Sequence, residues 1–282
     1  MHKIVRNEAI AEDTLLLEIE APRIAKKVKA GNFVVLRTGE KGERIPMSVT
    51  DFDPDKGTIT IVFKAFGKTT KDLSALKAGE GIENVTGPLG EPTEVRHFGT
   101  VVCVGGGTGI ASLYPIAREM KKAGNRVISI MAARSKSFLI FEDELKGVSD
   151  EVHIATDDGS CGAKGYASDV LQRLIDLKIK IDRVITVGPP IMMKMVAKVT
   201  KPYGIRTIAS LNPIMVDGTG MCGSCRVLVG GEVKFACVDG PEFDAHLVDF
   251  DNMMLRNNRF LEEEKKAMER GGGGCGCRKD KK

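Results

Sequence analysis

Three cysteines and an aspartate lie at spacings that suit the binding of iron or zinc. Two residues separate Cys222 from Cys225, and Cys237 follows after eleven more. Asp217 lies four intervening residues before Cys222, in a segment rich in glycine. Glycines between thiolates let the backbone wrap closely around an inorganic core and offer N–H groups to its sulfides. This segment is therefore the first candidate for chemistry in the chain.

The spacing of these four residues leaves the identity of the metal open. It follows the C-x4-C-x2-C…C run of plant-type [2Fe–2S] clusters, with Asp217 at the first position. Three thiolates and one carboxylate would complete a four-ligand set, although carboxylate oxygen is a hard ligand for sulfide-bridged iron. The C-x2-C spacing also suits zinc, and a pair of free thiols in a loop is a third interpretation.

A glycine-rich turn follows a continuous apolar run at residues 100–104 and opens a predicted helix. Such a turn lets a pyrophosphate approach the backbone N–H groups at a helix N-terminus. The turn departs from the G-x-G-x-x-G pattern, and no acidic residue ends the next predicted strand. A tight turn that binds no ligand therefore remains an alternative interpretation. The turn consists of Gly105, Gly106, Gly107, Thr108, Gly109 and Ile110.

Periodicity divides the chain into three parts. Short β-branched runs at 14–19, 32–36 and 58–63 predict a small antiparallel barrel or sandwich. From residue 99, apolar runs at 100–104, 126–130, 152–155 and 183–187 alternate with helical stretches, which predicts a parallel sheet with βαβ crossovers. From residue 211 the chain becomes rich in glycine and cysteine, then ends in a charged helix at 261–270 and a glycine-rich tail.

Composition excludes several classes of protein. The 282 residues, 42% apolar and 28% charged, indicate an ordinary globular chain of about two domains. A net charge of +4 and 5% aromatic residues argue against a nucleic-acid partner, and no apolar run is long enough to span a membrane. Seven cysteines without an export signal predict a reducing compartment, the cytoplasm.

Together these motifs resemble the ferredoxin–NADP reductase superfamily over the first two hundred residues. Residues 212–227 resemble the cluster motif of one subgroup, which holds dihydroorotate dehydrogenase electron-transfer subunits and the small subunits of NADH-dependent reduced-ferredoxin:NADP oxidoreductases. The small subunits carry a ligating aspartate at the place of Asp217, where the dihydroorotate subunits usually carry cysteine. The resemblance implies an FAD-binding antiparallel β-barrel (1–97), a parallel α/β NAD-binding domain (98–210) and a small C-terminal [2Fe–2S] module with a helix and flexible tail (211–282).

The resemblance also implies which residues bind the cofactors, and it implies no catalytic acid or base. The motif R-x-Y-S falls on residues 45–48, so that Arg44 lies one position early. The implied FAD contacts are Ile45, Pro46, Met47, Ser48, Phe63, Lys64, Ala65, Thr69 and Thr70. The implied NAD(H) contacts are the turn at 105–110 together with Ala133, Arg134, Asp157, Asp158, Gly188, Pro189 and Pro190. Carboxylates at 157 and 158 would repel a 2′-phosphate, which predicts NADH over NADPH.

The expected function is that of an electron-transfer subunit. By resemblance it exchanges hydride between NAD(H) and FAD, and single electrons with a [2Fe–2S] cluster, in a bifurcating NADH/NADPH/ferredoxin complex. The sequence has no second flavin motif and no four-cysteine run for a [4Fe–4S] cluster. We therefore expect a larger flavoprotein partner with NADP(H) and [4Fe–4S] sites, through which ferredoxin is reached. The alternatives are an electron-transfer subunit of dihydroorotate dehydrogenase and, from another class, a zinc-binding interaction module.

Overall fold

Seven antiparallel strands and two short helices form the N-terminal part of the chain. In the computed structural model, which describes residues 1–40 and 42–270, the strands are hydrogen-bonded in the order β6-β1-β2-β5-β4-β3-β7. The elements are β1 (His2–Ala11), β2 (Thr14–Glu20), α1 (Pro22–Ala25), β3 (Phe33–Arg37), β4 (Arg44–Asp53), β5 (Thr58–Lys64), α2 (Lys68–Ser74), β6 (Gly81–Ile82) and β7 (Asn84–Leu89). The tail cysteines Cys275 and Cys277 lie outside the described residues.

This sheet curls into a nearly closed barrel. Of the barrel and the sandwich that the sequence predicted, the barrel is confirmed. Its outer strands β6 and β7 are separated by one residue, Glu83, while they pair with β1 and β3 on opposite sides of the sheet. Alternate side chains, including those of Leu17, Ile59 and Ile61, point inwards and are fully buried. Period-two alternation thus fills the barrel interior with apolar side chains.

The middle of the chain forms a parallel sheet covered by helices on both faces. Its strand order is β11-β10-β9-β8-β12-β13-β16, in which only β16 is antiparallel. The order reverses between β8 and β12, the position at which doubly wound sheets bind nucleotides. The elements are β8 (Thr100–Gly106), α3 (Gly109–Lys122), β9 (Arg126–Ala133), α4 (Glu142–Val148), β10 (Glu151–Thr156), β11 (Ala163–Lys164), α5 (Ala167–Asp176), β12 (Arg183–Val187), α6 (Pro190–Thr200) and β13 (Thr207–Ser210).

The cysteine-rich part adds a hairpin, one strand of the parallel sheet and two helices. The elements are β14 (Arg226–Val229), β15 (Glu232–Phe235), β16 (Glu242–Asp244), α7 (Phe250–Asn257) and α8 (Leu261–Arg270). Because β16 pairs with β13, the segment after Cys237 is built into the edge of the nucleotide-binding sheet. Within the part of the chain that the structure describes, no helix is both long and apolar enough to cross a membrane.

All three parts of the chain meet at the side chain of Glu242. Its carboxylate accepts a hydrogen bond from the Thr93 hydroxyl at 2.5 Å, on the connection between the barrel and β8. The residue borders a cavity of about 210 Å³ that Arg183 and Arg206 also line. Burial of the carboxyl group raises its pKa to about 7, against the opposing effects of Thr93 and the Arg183 charge. Glu242 therefore exchanges its proton near neutral pH.

Replacing Glu242 should change how stability depends on pH. The folded pKa of Glu242 lies above its unfolded value of 4.5, so the protonated carboxyl group favours the folded state. This contribution to the free energy of unfolding is fully present below pH 4.5 and is lost as pH rises through 7. The loss is at most about 3 kcal/mol. Glu242→Gln keeps an acceptor for Thr93 and removes the charge. The unfolding midpoint of this variant should rise relative to wild type between pH 5.5 and pH 8. Thermal unfolding at both pH values measures this, with the exposed Glu144→Gln as control; equal differences at both would contradict it.

Candidate functional site

Two of the four predicted metal ligands lie side by side in the interior. The Sγ atoms of Cys225 and Cys237 are 3.2 Å apart, and both residues are only 2% exposed. Cys225 directly precedes β14, and Cys237 comes two residues after β15 ends. The β14–β15 hairpin thus brings together two cysteines that are twelve residues apart in the sequence.

The other two predicted ligands lie on the solvent side of the same loop. Cys222 is exposed, and its backbone N–H donates to the Asp217 carboxylate at 2.7 Å. The second carboxylate oxygen of Asp217 accepts from the Thr219 N–H at 2.8 Å. The Thr219 hydrogen bond is the largest cause of a lowered pKa at Asp217, which therefore stays ionised at neutral pH. These two backbone hydrogen bonds fix the position of the Asp217 carboxylate within the loop.

The four side chains suit a two-iron cluster because they come in two pairs. In a [2Fe–2S] cluster each iron takes two protein ligands, as the replacement of two cysteines by histidines on one iron shows. The inner pair, Cys225 and Cys237, has adjacent sulfur atoms, and the outer pair, Asp217 and Cys222, is joined through a backbone hydrogen bond. Burial raises the pKa of the Cys237 thiol to about 12. Cluster binding must therefore displace that proton.

The cysteine loop is packed directly on the barrel. Cys225 and Cys237 share a buried apolar cluster with Phe33 and Val35 of β3. Gly218, at φ +75°, lies so close to the barrel that a Cβ there would be 2.8 Å from Leu89 and 3.0 Å from Val35. Only glycine tolerates both this backbone conformation and this approach. The loop that carries the candidate ligands is therefore fixed on strand β3.

Strand β4, which carries the predicted flavin motif, is the neighbour of β3. Ser48 is paired with Phe33 and is exposed, whereas Ile45 and Met47 pack against the barrel core. Arg44 has the same parity as Ser48 and is also exposed, so it faces the side on which Ser48 lies. The exposed face of β4 offers FAD Arg44, Pro46 and Ser48, and the sequence motif alone did not show this arrangement.

The remaining predicted FAD contacts surround the end of β5 and the start of α2. Phe63 is buried in the barrel core, so only its backbone is available, and Lys64 lies over the Phe138 ring at 4.9 Å. Thr69 and Thr70 are the second and third residues of α2. Their hydroxyls are already engaged: Thr69 donates to Glu43 at 2.6 Å and Thr70 to the Gly67 carbonyl at 3.0 Å.

The glycine turn of the predicted nucleotide site lies where the sheet order reverses. Three of its glycines have a close neighbour at the place where a side chain would begin. A Cβ would overlap the Val187 carbonyl oxygen at Gly109, would lie 2.9 Å from the Ile110 Cα atom at Gly105, and would meet the flexible side chain of Met192 at Gly106. Helix α3 begins at Gly109, beside the crevice between β8 and β12. The N–H groups of Ile110 and Ala111 in its first turn donate to the carbonyl oxygens of Gly107 and Thr108, each at 3.1 Å. The loop of Gly188, Pro189 and Pro190 follows β12 at the same crevice, and Pro190 is the first residue of α6.

The two aspartates after β10 have different surroundings. The Asp158 carboxylate accepts from the backbone N–H and the hydroxyl of Ser160, and the hydroxyl contact is the largest cause of its lowered pKa. Asp157 is exposed, and its carboxylate has no hydrogen-bond partner among the described residues. Of the remaining predicted contacts, Ala133 is buried at the end of β9 and Arg134 is exposed beside it. Asp157 is therefore the carboxylate that is free to meet a ribose.

An ion pair between the two cofactor-binding domains was not predicted from the sequence. Arg118 of α3 donates to Asp51 of β4 at 2.6 Å, and its guanidinium lies over the rings of Phe52 and Tyr114. The helix that begins at the glycine turn is thereby joined to the strand that carries Ser48. Charge and aromatic residues at positions 51, 52, 114 and 118 are visible in the sequence, but nothing in the sequence shows that they meet.

The fold and the two sites define the class of protein. An antiparallel barrel followed by a parallel nucleotide-binding sheet also occurs in phthalate dioxygenase reductase, with 20% identity, a TM-score of 0.59 and coverage of 81% of this chain and 85% of that one. At that identity the likeness shows the fold alone. Residues 103–198 match the oxidoreductase NAD-binding domain, and residues 212–249 match the iron–sulfur cluster binding domain of dihydroorotate dehydrogenase B. The chain is an oxidoreductase of the ferredoxin–NADP reductase type.

Similar chains then show the family. The dihydroorotate dehydrogenase B (NAD(+)) electron transfer subunit homolog of Thermotoga maritima is 48% identical over 270 residues, 96% of this chain and 95% of that protein. The electron transfer subunit of Fusobacterium nucleatum is 30% identical and covers 88% and 97%. A structure described as giving insights into flavin-based electron bifurcation via the NADH-dependent reduced ferredoxin-NADP oxidoreductase matches with 47% identity, a TM-score of 0.91 and coverage of 96% and 97%. The chain belongs to the family of dihydroorotate dehydrogenase B electron transfer subunits and their homologues.

Family membership settles the cofactors predicted from the sequence. They are FAD, an iron–sulfur cluster and NAD(H). The match over residues 212–249 favours iron and sulfide over the zinc-module alternative. The individual contact residues stay predictions, which the geometry described above makes specific.

Breaking the ion pair between Arg118 and Asp51 should lower the stability of the protein and weaken the link between the two cofactor sites. We expect Arg118→Gln to destabilise the protein by about 1–2 kcal/mol, because Arg118 is mostly buried and its partner half-exposed. Hydride transfer from NADH to FAD, measured by stopped-flow absorbance, should slow. A double-mutant cycle with Asp51→Asn measures the interaction free energy of the two residues. Strictly additive effects of the two substitutions would show that Arg118 and Asp51 do not interact energetically.

Proposed function

We propose that the chain is the electron-transfer subunit of an NADH-linked, electron-bifurcating oxidoreductase. Bound FAD would supply an acceptor for the hydride of NADH, and a bound [2Fe–2S] cluster would supply transfer of single electrons. The observation that supports this proposal best is the order of the three sites. Helix α3 of the nucleotide site is joined to β4 through Arg118 and Asp51, and β4 is paired with β3, on which Cys225 and Cys237 are packed. The flavin strand therefore lies between the nucleotide helix and the cluster loop.

The chain's own residues position the cofactors and carry no proton-transfer step. Ser48 and Arg44 present polar groups to FAD on the exposed face of β4. The glycine turn that opens α3, in which Gly109 packs against the Val187 carbonyl group, would let the NAD(H) pyrophosphate approach the N-terminus of the helix. Asp217, Cys222, Cys225 and Cys237 would hold the cluster. No acid or base is needed, because hydride and electron transfer are the chemistry of the cofactors.

The free carboxylate of Asp157 favours NADH as the electron donor. By resemblance to the superfamily, the segment 156–160 lies where NADP-specific reductases bind the 2′-phosphate of the adenosine ribose. An unpaired, exposed carboxylate there can accept a hydrogen bond from a ribose hydroxyl, whereas it would repel a 2′-phosphate. Arg134, exposed at the end of β9, is the only charge that we find to oppose this preference among the residues predicted for the nucleotide site.

A partner subunit would meet the cluster at its outer edge. Cys222 is exposed beside Met221, which is 88% exposed, and Val216 and Val238 add exposed apolar surface around the loop. We propose a larger flavoprotein with NADP(H) and [4Fe–4S] sites as this partner, with ferredoxin reached through it and the complex in the cytoplasm. A dihydroorotate dehydrogenase catalytic subunit is the second candidate, since the electron transfer subunits named above serve that enzyme.

An anaerobic titration with NADH tests the proposed electron path. NADH should bleach the flavin absorbance and then the broad iron–sulfur absorbance of the purified chain, while NADPH at equal concentration should act far more slowly. Asp157→Asn should narrow the difference between the rates of reduction by NADH and NADPH, because it removes the negative charge that repels the 2′-phosphate. Asp176→Asn, on α5, is the matched control. A flavin-and-cluster spectrum that NADH leaves unchanged would contradict the proposal.

Removing single ligands tests the assignment of the cluster. Cys225→Ser and Cys237→Ser should each lose most of the iron and acid-labile sulfide while retaining FAD, because the barrel does not depend on either thiol. Cys161→Ser replaces a half-buried cysteine outside the loop and should keep both at wild-type levels. Asp217→Asn keeps an acceptor for the Thr219 N–H but loses the charge, so a full iron content in this variant would refute ligation by Asp217.

A further inference from the structure

Three arginines from two separate elements converge on the cysteine loop. Arg226, in β14, donates to the carbonyl oxygen of Gly223 at 3.4 Å. Arg256 of α7 and Arg259, just after it, donate to the carbonyl oxygen of Ser224 at 3.4 and 3.0 Å. Gly223 and Ser224 are the two residues between Cys222 and Cys225. The three guanidinium groups therefore surround the short stretch of backbone that joins the outer and inner ligand pairs.

Among the described residues, these guanidinium groups have no carboxylate counterions. Within residues 1–40 and 42–270, none of the three forms an ion pair with Asp or Glu. Burial lowers the pKa of Arg256, and the charges of Arg226 and Arg259 lower it further, so the three groups are close enough to repel one another. Arginine nevertheless stays protonated in proteins. A group of unpaired like charges costs stability unless an anion compensates it.

We propose that Arg226, Arg256 and Arg259 together raise the reduction potential of the iron–sulfur cluster. The inference rests on the proposed cluster ligands and goes beyond them by assigning a role to residues outside the ligand set. The anion that compensates the three charges is the cluster itself.

The direction of the effect follows from the charge of the cluster. A [2Fe–2S] cluster held by three thiolates and a carboxylate is an anion in both oxidation states, and reduction adds one further negative charge. Fixed positive charges nearby stabilise the reduced state more than the oxidised one, so they raise the potential. Arg256 is half-buried, so its charge is screened less by solvent than those of the exposed Arg226 and Arg259.

A redox titration of the cluster in charge-removing and charge-keeping variants tests this proposal. Full-length protein carrying FAD and cluster is titrated anaerobically with dithionite and mediators, and the cluster is followed by electron paramagnetic resonance. Arg256→Gln should lower the ratio of reduced to oxidised cluster at a fixed potential by roughly tenfold, which for one electron is about 59 mV. Arg226→Gln and Arg259→Gln should each give a smaller fall, which shrinks further at high ionic strength.

A lysine variant separates the electrostatic effect of the arginine from the hydrogen bond by which it supports the loop. Arg256→Lys keeps the charge and should keep the potential near that of wild type, although the contact with Ser224 changes. Arg173→Gln removes an exposed arginine from α5 and should leave the potential unchanged. A Gln variant with intact cluster signal and unchanged potential would overturn the proposal, as would an equal fall in the Gln and Lys variants. Because dithionite supplies the electrons, a failure of NADH to reduce the protein would count against the proposed function alone.

Discussion

The close packing of the cysteine loop on strand β3 is the contact on which the proposed electron path depends. Electron transfer requires that donor and acceptor groups be held at fixed separations, and a flexible loop could not do this. Phe33 and Val35 form an apolar surface for Cys225 and Cys237, and Gly218 allows the backbone to approach that surface. Since β3 is hydrogen-bonded to β4 throughout its length, the same contact fixes the cluster relative to the flavin strand.

The nucleotide-binding sheet holds the cysteine segment from its other end. Strand β16 begins five residues after Cys237 and pairs with β13, which is the neighbour of β12 beside the nucleotide crevice. The carboxylate of Glu242 adds a contact to Thr93, so the segment is bound to the connection between the two larger domains as well. The cysteine segment is thus held by apolar packing on β3 and by hydrogen bonds from β16 to the parallel sheet, which limits how far the barrel and that sheet can move apart around it.

The parts of the structure that depend on local pattern were predictable, and the parts that depend on distant contacts were not. Strand β12 was predicted at its observed residues because a run of apolar, β-branched residues is buried on both faces of a parallel sheet. The candidate ligands were found because one short segment supplies them. The contact between Thr93 and Glu242 joins residues 149 positions apart, and Arg256 reaches Ser224 from a separate helix. Such pairs leave no periodic signal. Strand β1 was also missed, since its polar and apolar residues hardly alternate.

The different surroundings of the two ligand pairs explain why a carboxylate can stand among thiolates. The inner pair is enclosed by apolar side chains, where soft sulfur ligands are favoured and a carboxylate would have to give up its solvation. The outer pair faces solvent, where water and the N–H groups of Thr219 and Cys222 stabilise the charge of Asp217. In the proposed cluster a hard ligand would therefore be tolerated only at the exposed iron. That iron would also be the one nearer to the proposed partner, so the residue type at position 217 would affect the cluster at the edge from which electrons are proposed to leave the chain.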